Sequence, residues 1–163
     1  MLDIKFSGKT DKPELNNGVG EYIAIWEKEG EKIIKALEKM SGLRFKENNI
    51  IATISETSFS HPLTLKASIS KERKLATLIH ELIHILFNDI KLPKIEDSSL
   101  EIHKLIYLFQ YDVFTKLYGE DFAIRNAKAD IKYRPRVHKL AWDWVLSFSK
   151  EERAEKFKEI TSR

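Results

Sequence analysis

Three residues in the stretch TLIHELIHILF, Thr77 to Phe87, are equipped for chemistry: His80, Glu81 and His84. The histidines are spaced i, i+4. On a helix their rings then point within about 40° of each other, stacked on one face. Two imidazoles so placed can share one Zn²⁺. The glutamate sits one step round, where it reaches a water on the metal without ligating the metal. Zinc brings the pKa of that water toward ~7 and the carboxylate takes its proton, which is the working logic of an H-E-x-x-H helix. The surroundings sharpen this reading. Leu78, Ile79, Leu82, Ile83, Ile85, Leu86 and Phe87 cover nearly every direction around the helix. Burying two imidazoles and a carboxylate without partners in such company costs several kcal/mol. A divalent cation with its water removes that cost. Mn, Co or Ni could occupy a His-rich site in place of zinc.

A catalytic zinc site takes a third protein ligand and keeps one position open. The chain has no cysteine. Disulfides, thiolate catalysis and Cys-based metal sites are therefore excluded, and the third ligand is His, Glu or Asp. Glu96, Asp97, Glu101, His103 and Asp112 lie in or near the next helical stretch, SSLEIHKLIYLFQYDVFTKLYG. Glu101 and His103 stand about 200° apart round a helix, so both cannot readily face one metal. Ser98 and Glu101 have the S-x-x-E spacing of a capping box, which gives Glu101 an ordinary job at the helix start. His103 lies beside an apolar face centred on Ile102, Ile106, Phe109 and Val113. These features favour His103 as third ligand, with Glu101 as the alternative. His61 reads as an exposed loop histidine, with a place at the cleft rim as its alternative. His138, among Val137, Leu140, Ala141, Trp142 and Trp144, reads as helix packing, with stabilisation of an oxyanion as its alternative. Tyr107, Tyr111 and Tyr133 are further oxyanion candidates.

The elements that must position these residues follow from pattern. Lys9 to Gly20 is rich in Pro, Asn and Gly and reads as loop. Glu21 to Ser41 has apolar residues near helical spacing and ends at Gly42. NIIATIS, Asn49 to Ser55, is β-branched. PLTLKASI, Pro62 to Ile69, alternates with Leu63, Leu65, Ala67 and Ile69 on one face, and Pro62 marks it as a sheet edge. SETSFSH between the two reads as a turn. Ser70 caps a helix over Lys71 to Asn88. A connector leads to a long helix from Ser99 to Tyr118, stopped by Gly119. Further helices cover Asp121 to Asp130, Arg136 to Ser147 and Glu151 to Thr161, the last opened by a Ser149/Glu152 capping box. The pattern predicts one α+β domain over residues 1–163: a small antiparallel or mixed sheet, the motif helix, then a mostly helical C-terminal half. Its 28 basic and 25 acidic residues are interspersed, which argues against a nucleic-acid partner. No run approaches the ~20 apolar residues that span a bilayer, and the N-terminus lacks a signal-peptide pattern. A cytoplasmic protein is expected.

The sequence HELIH resembles the motif of the zincin metallopeptidases. An alternating strand precedes it and a helix that can return a third ligand follows. Over Asn49 to Gly119 the layout is similar to the small gluzincin-like peptidases, the minigluzincins, and to the SprT-like group, where the third ligand is a histidine. A gluzincin places Glu at that position with a polar partner four residues on. Here Glu101 is followed by Leu105 and His103 by Tyr107. The resemblance implies a zinc-dependent peptidase with His80 and His84 as ligands and Glu81 as general base and later proton donor. It also implies that Leu63 to Ile69 lines the cleft, with Leu65, Lys66 and Ala67 pairing with an extended peptide substrate. The alternatives are a zincin-fold regulatory or peptide-binding module with little catalysis, and a metal-free helical protein.

Overall fold

A computed structural model describes residues 2–8, 13–88, 90, 98–133 and 135–161, leaving aside the side chains of Glu14 and Ser98. The chain divides into two compact units, Met1–Asn88 and Asp89–Arg163. Among the described residues the fold is α+β, with six helices and one small mixed sheet.

The first unit begins with β1 (Asp3–Gly8), followed by α1 (Pro13–Ser41), β2 (Asn49–Ser55), β3 (Phe59–Ser60), β4 (Leu63–Lys66) and α2 (Lys71–Leu86). The sheet order is β1-β2-β4-β3, with β2 parallel to both neighbours and β3 antiparallel to β4. One face carries Ile4, Ile50, Ala52, Ile54, Leu63 and Leu65, all buried. Phe6 on that face stacks on Tyr22 of α1 at 6.0 Å between ring centroids. Helix α1 adds Leu15, Ile25, Ile33, Ile34 and Leu37 to the same core, and α2 adds Leu78, Ile79, Leu82 and Ile83. Strand residues in the other phase, such as Lys5 and Ile51, face out, which is the period-two burial of a half-covered sheet.

Three expectations are corrected here. The segment Lys9 to Gly20 is helical from Pro13 onward. Proline suits the first turn, where its missing N–H would have no intrahelical partner, and that advantage outweighs the turn propensity of the Asn and Gly residues behind it. The turn expected over Ser55 to His61 contains β3, too short to show any alternation. In consequence Leu63 to Ile69 is not an edge strand, because β4 lies between β2 and β3.

The second unit contains α3 (Ser98–Tyr118), α4 (Glu120–Tyr133), α5 (Val137–Leu146) and α6 (Lys150–Thr161). Helix α3 is the centre and packs on the other three. It is buried nearly all round from Leu105 to Phe114, whereas Ile102, expected at the centre of its apolar face, is exposed. Rings knit the helices together: Tyr107 on Trp142 at 4.2 Å, Phe109 on Phe157 at 5.2 Å and Phe114 on Phe122 at 5.1 Å. Helix α6 is pinned by Arg153, which donates to both carboxylate oxygens of Asp112 and to the carbonyl of Phe148. Gly119 separates α3 from α4 at φ +89, a left-handed conformation that favours glycine. Ser149 and Glu152 cap α6 reciprocally, at 2.7 and 3.2 Å, as the sequence predicts.

Candidate metal centre

Helix α2 starts where the sequence places it. Ser70 is its N-cap and accepts a hydrogen bond from the Arg73 amide at 3.3 Å. In the same turn Lys74 is buried, with Nζ donating to the Ile69 carbonyl at 2.6 Å and paired with Glu21 of α1 at 2.7 Å. These contacts fix the start of α2 against α1 and the end of β4, and so fix the direction in which the next turns project.

His80 and His84 come together on one face. Their Nε2 atoms are 3.1 Å apart, and the rings meet edge to face with centroids 4.7 Å apart. Two zinc-bound nitrogens at about 2.0–2.1 Å from a tetrahedral metal stand ~3.4 Å from each other. The observed separation is close to that value, so the two donors fit a shared cation. Both rings are half-buried.

Glu81 lies beside them and is 7% exposed. Burial pushes its carboxyl up to about 8. Without a cation nearby, the group is largely protonated at neutral pH. A divalent metal on the adjacent imidazoles favours the ionised form, which is the form that can accept a proton. Tyr22, unremarked in the sequence, belongs to this neighbourhood. Its hydroxyl donates to the Lys66 carbonyl at 3.0 Å. Burial first and the charge of Glu81 second hold that hydroxyl well above the ordinary phenol range. Its helical phase with Ile25 predicts burial, but no local sequence signal predicts its proximity to Glu81.

The strand residues expected to bind substrate are engaged within the first unit. Leu65 and Ala67 are buried. The Lys66 amide donates to Ser58 Oγ at 3.0 Å and its carbonyl accepts from Tyr22, while the Ala67 amide donates to the Ser55 carbonyl at 2.7 Å. These groups are already committed before any peptide arrives.

In the second unit, His103 lies in the first turns of α3. Its Nδ1 donates to the Ser99 carbonyl at 2.7 Å. A carbonyl only accepts, so the proton sits on Nδ1, and Nε2 carries the lone pair a metal needs. Glu101 pairs with Lys104 at 2.7 Å. Asp112 is held by Arg153. Glu96 and Asp97 lie outside the described residues, as does the Ser98 side chain of the expected capping box. His61 is exposed and its Nδ1 is 3.2 Å from Ser60 Oγ. His138 is buried on α5, with Nδ1 donating to the Asp130 carbonyl at 3.2 Å. Tyr107 is buried, Tyr111 donates to Glu120 at 3.2 Å, and Tyr133 is exposed.

No protein-family model matches the chain, and neither curated proteins nor solved structures give a significant match. The functional reading therefore rests on the residues themselves.

Proposed function

We propose that this chain is a zinc-dependent metallopeptidase. The observation that carries the reading is the convergence of His80 and His84 Nε2 at 3.1 Å beside the buried carboxylate of Glu81. A bound divalent cation supplies Lewis acidity and lowers the pKa of water. Glu81 is the general base, held by burial close to the operating pH at which such a group works best.

His103 is the third ligand in this proposal. Its Nδ1–H bond to Ser99 sets the ligating tautomer, and its ring, like those of His80 and His84, is half-buried. Glu101 is the weaker choice, because its carboxylate is paired with Lys104. The test is Glu81→Gln in zinc-loaded protein incubated with an unfolded protein substrate. Zinc content is expected to match the parent while hydrolysis falls at least a hundredfold, in keeping with ~10²–10⁴-fold for a general base. Hydrolysis at the parental rate would sink the mechanism.

One observation favours a second reading, a metal-binding module with little peptidase activity. Strand β4 is flanked on both sides, so it does not present the open edge that would pair with an extended substrate. Under that reading zinc binds at the same residues and the parent protein leaves the substrate intact.

A further inference from the structure

Within the second unit, the ring of His103 is enclosed rather than projecting alone. Its Nδ1–H is tied to the Ser99 carbonyl. The His138 ring lies 4.8 Å away by centroids, at an interplanar angle of 35°. Tyr107 completes a triangle, 5.6 Å from His103 and 5.7 Å from His138, meeting the latter edge-on at 83°. Tyr107 is itself stacked on Trp142 at 4.2 Å. His138 is anchored in turn by its Nδ1–H bond to the carbonyl of Asp130 in α4. A line of contacts thus runs from the α4 backbone through His138 to His103 and back to the start of α3.

This placement has a cost. A histidine that is 7% exposed loses hydration that an aliphatic residue of similar size would not lose. The bond to Asp130 offsets part of it. What an aliphatic side chain could not offer is a flat ring, held in a set orientation, against the flat ring of His103.

We infer that His138 is a positioning residue for the third metal ligand: its anchored ring fixes the plane of the His103 imidazole and so the direction of the Nε2 lone pair. The inference rests on the proposed metal site. It adds a residue that touches neither the metal nor the reacting atoms. Contacts that orient a ligating histidine are typically worth ~10–100-fold in metal affinity.

The experiment measures zinc affinity of the full chain by competition with a chromophoric chelator, together with the visible absorption of the Co²⁺-loaded protein. Four variants are compared: His103→Ala, His138→Ala, His138→Gln and His138→Phe. Gln keeps a donor for Asp130 but has no ring; Phe keeps a ring but has no donor. His138→Ala and His138→Gln are expected to weaken zinc binding about tenfold or more and to alter the Co²⁺ spectrum. His138→Phe is expected to stay within about threefold of the parent, because ring contact is what orients His103. Parental affinity in both the Ala and Gln variants, with His103→Ala weakened, overturns the inference and leaves the metal site standing. Equal losses in Phe and Gln overturn it too, since the ring would then not be the agent. A parent protein that binds no metal overturns both.

Discussion

Removing the charge of Glu81 without changing its size is the perturbation whose effect the structure specifies most fully. The carboxyl is raised from 4.5 to about 8 by burial alone. At about 1.36 kcal/mol per pKa unit, that is on the order of 5 kcal/mol as a ceiling, and 3–5 kcal/mol is a reasonable working range. The direction follows from proton linkage. Between the two pKa values the folded metal-free protein holds a proton that the unfolded chain has released. The stabilisation is therefore complete below about 4.5 and is lost as pH rises through about 8. Glutamine mimics the protonated carboxyl and does not titrate. In chelator-treated protein, Glu81→Gln should match the parent near the acid end of this window. It should exceed the parent by roughly 3–5 kcal/mol just above its alkaline end. The assay is amide hydrogen exchange in β2 and α2, corrected for intrinsic rates, because it reports opening of the first unit alone. Zinc should shrink the difference between the two proteins, since a cation beside Glu81 favours its ionised form. A parent-minus-variant difference that does not change with pH would refute the reasoning, and with it the claim that this carboxylate is held in a desolvated site.

Other outcomes follow from packing and pairing. Gly18→Ala places a Cβ 3.0 Å from Ala67 Cβ and 3.1 Å from Ile54 Cγ2. It should lower the melting temperature, at a cost of about 1–3 kcal/mol from overpacking. Gly20→Ala, two residues on in the same helix, meets nothing within 4 Å and should stabilise by up to ~1 kcal/mol through helix propensity. Lys74→Ala leaves the Ile69 carbonyl without its donor. Because Glu21 is half exposed and stays hydrated, the cost read by chemical denaturation should be about 1–3 kcal/mol rather than the larger penalty of a fully buried pair. Ser149→Ala removes one half of the α6 capping box and should cost about 1 kcal/mol, seen as faster amide exchange in the first turn of α6.

Sequence pattern makes the motif helix and its caps legible because the signals are local. Ser70, Gly42, Gly119 and the Ser149/Glu152 pair each act within one turn of their own backbone, and each sits where pattern predicts. Strand β2 is read to the residue because β-branched side chains run through it. What pattern misses depends on partners distant in sequence. Strand β1 has only six residues, and its pairing with β2 is settled across the whole of α1. The two-residue β3 exists because β4 offers it a ladder, and its presence turns an expected edge into an interior strand. The site shows the same division. The i, i+4 spacing of His80 and His84 is a property of one helix and is readable at once. The contacts of Tyr22 with Lys66 and of His138 with His103 join elements far apart in the chain, where no periodicity reports them.

Zinc content of the purified full-length chain after metal-replete expression tests the central claim most directly. Elemental analysis should find about one zinc per chain in the parent and close to none when His80 and His84 are both replaced by Ala, the behaviour of a site that depends on that pair. A parent protein carrying no zinc, or one whose zinc survives loss of both histidines, would contradict the account.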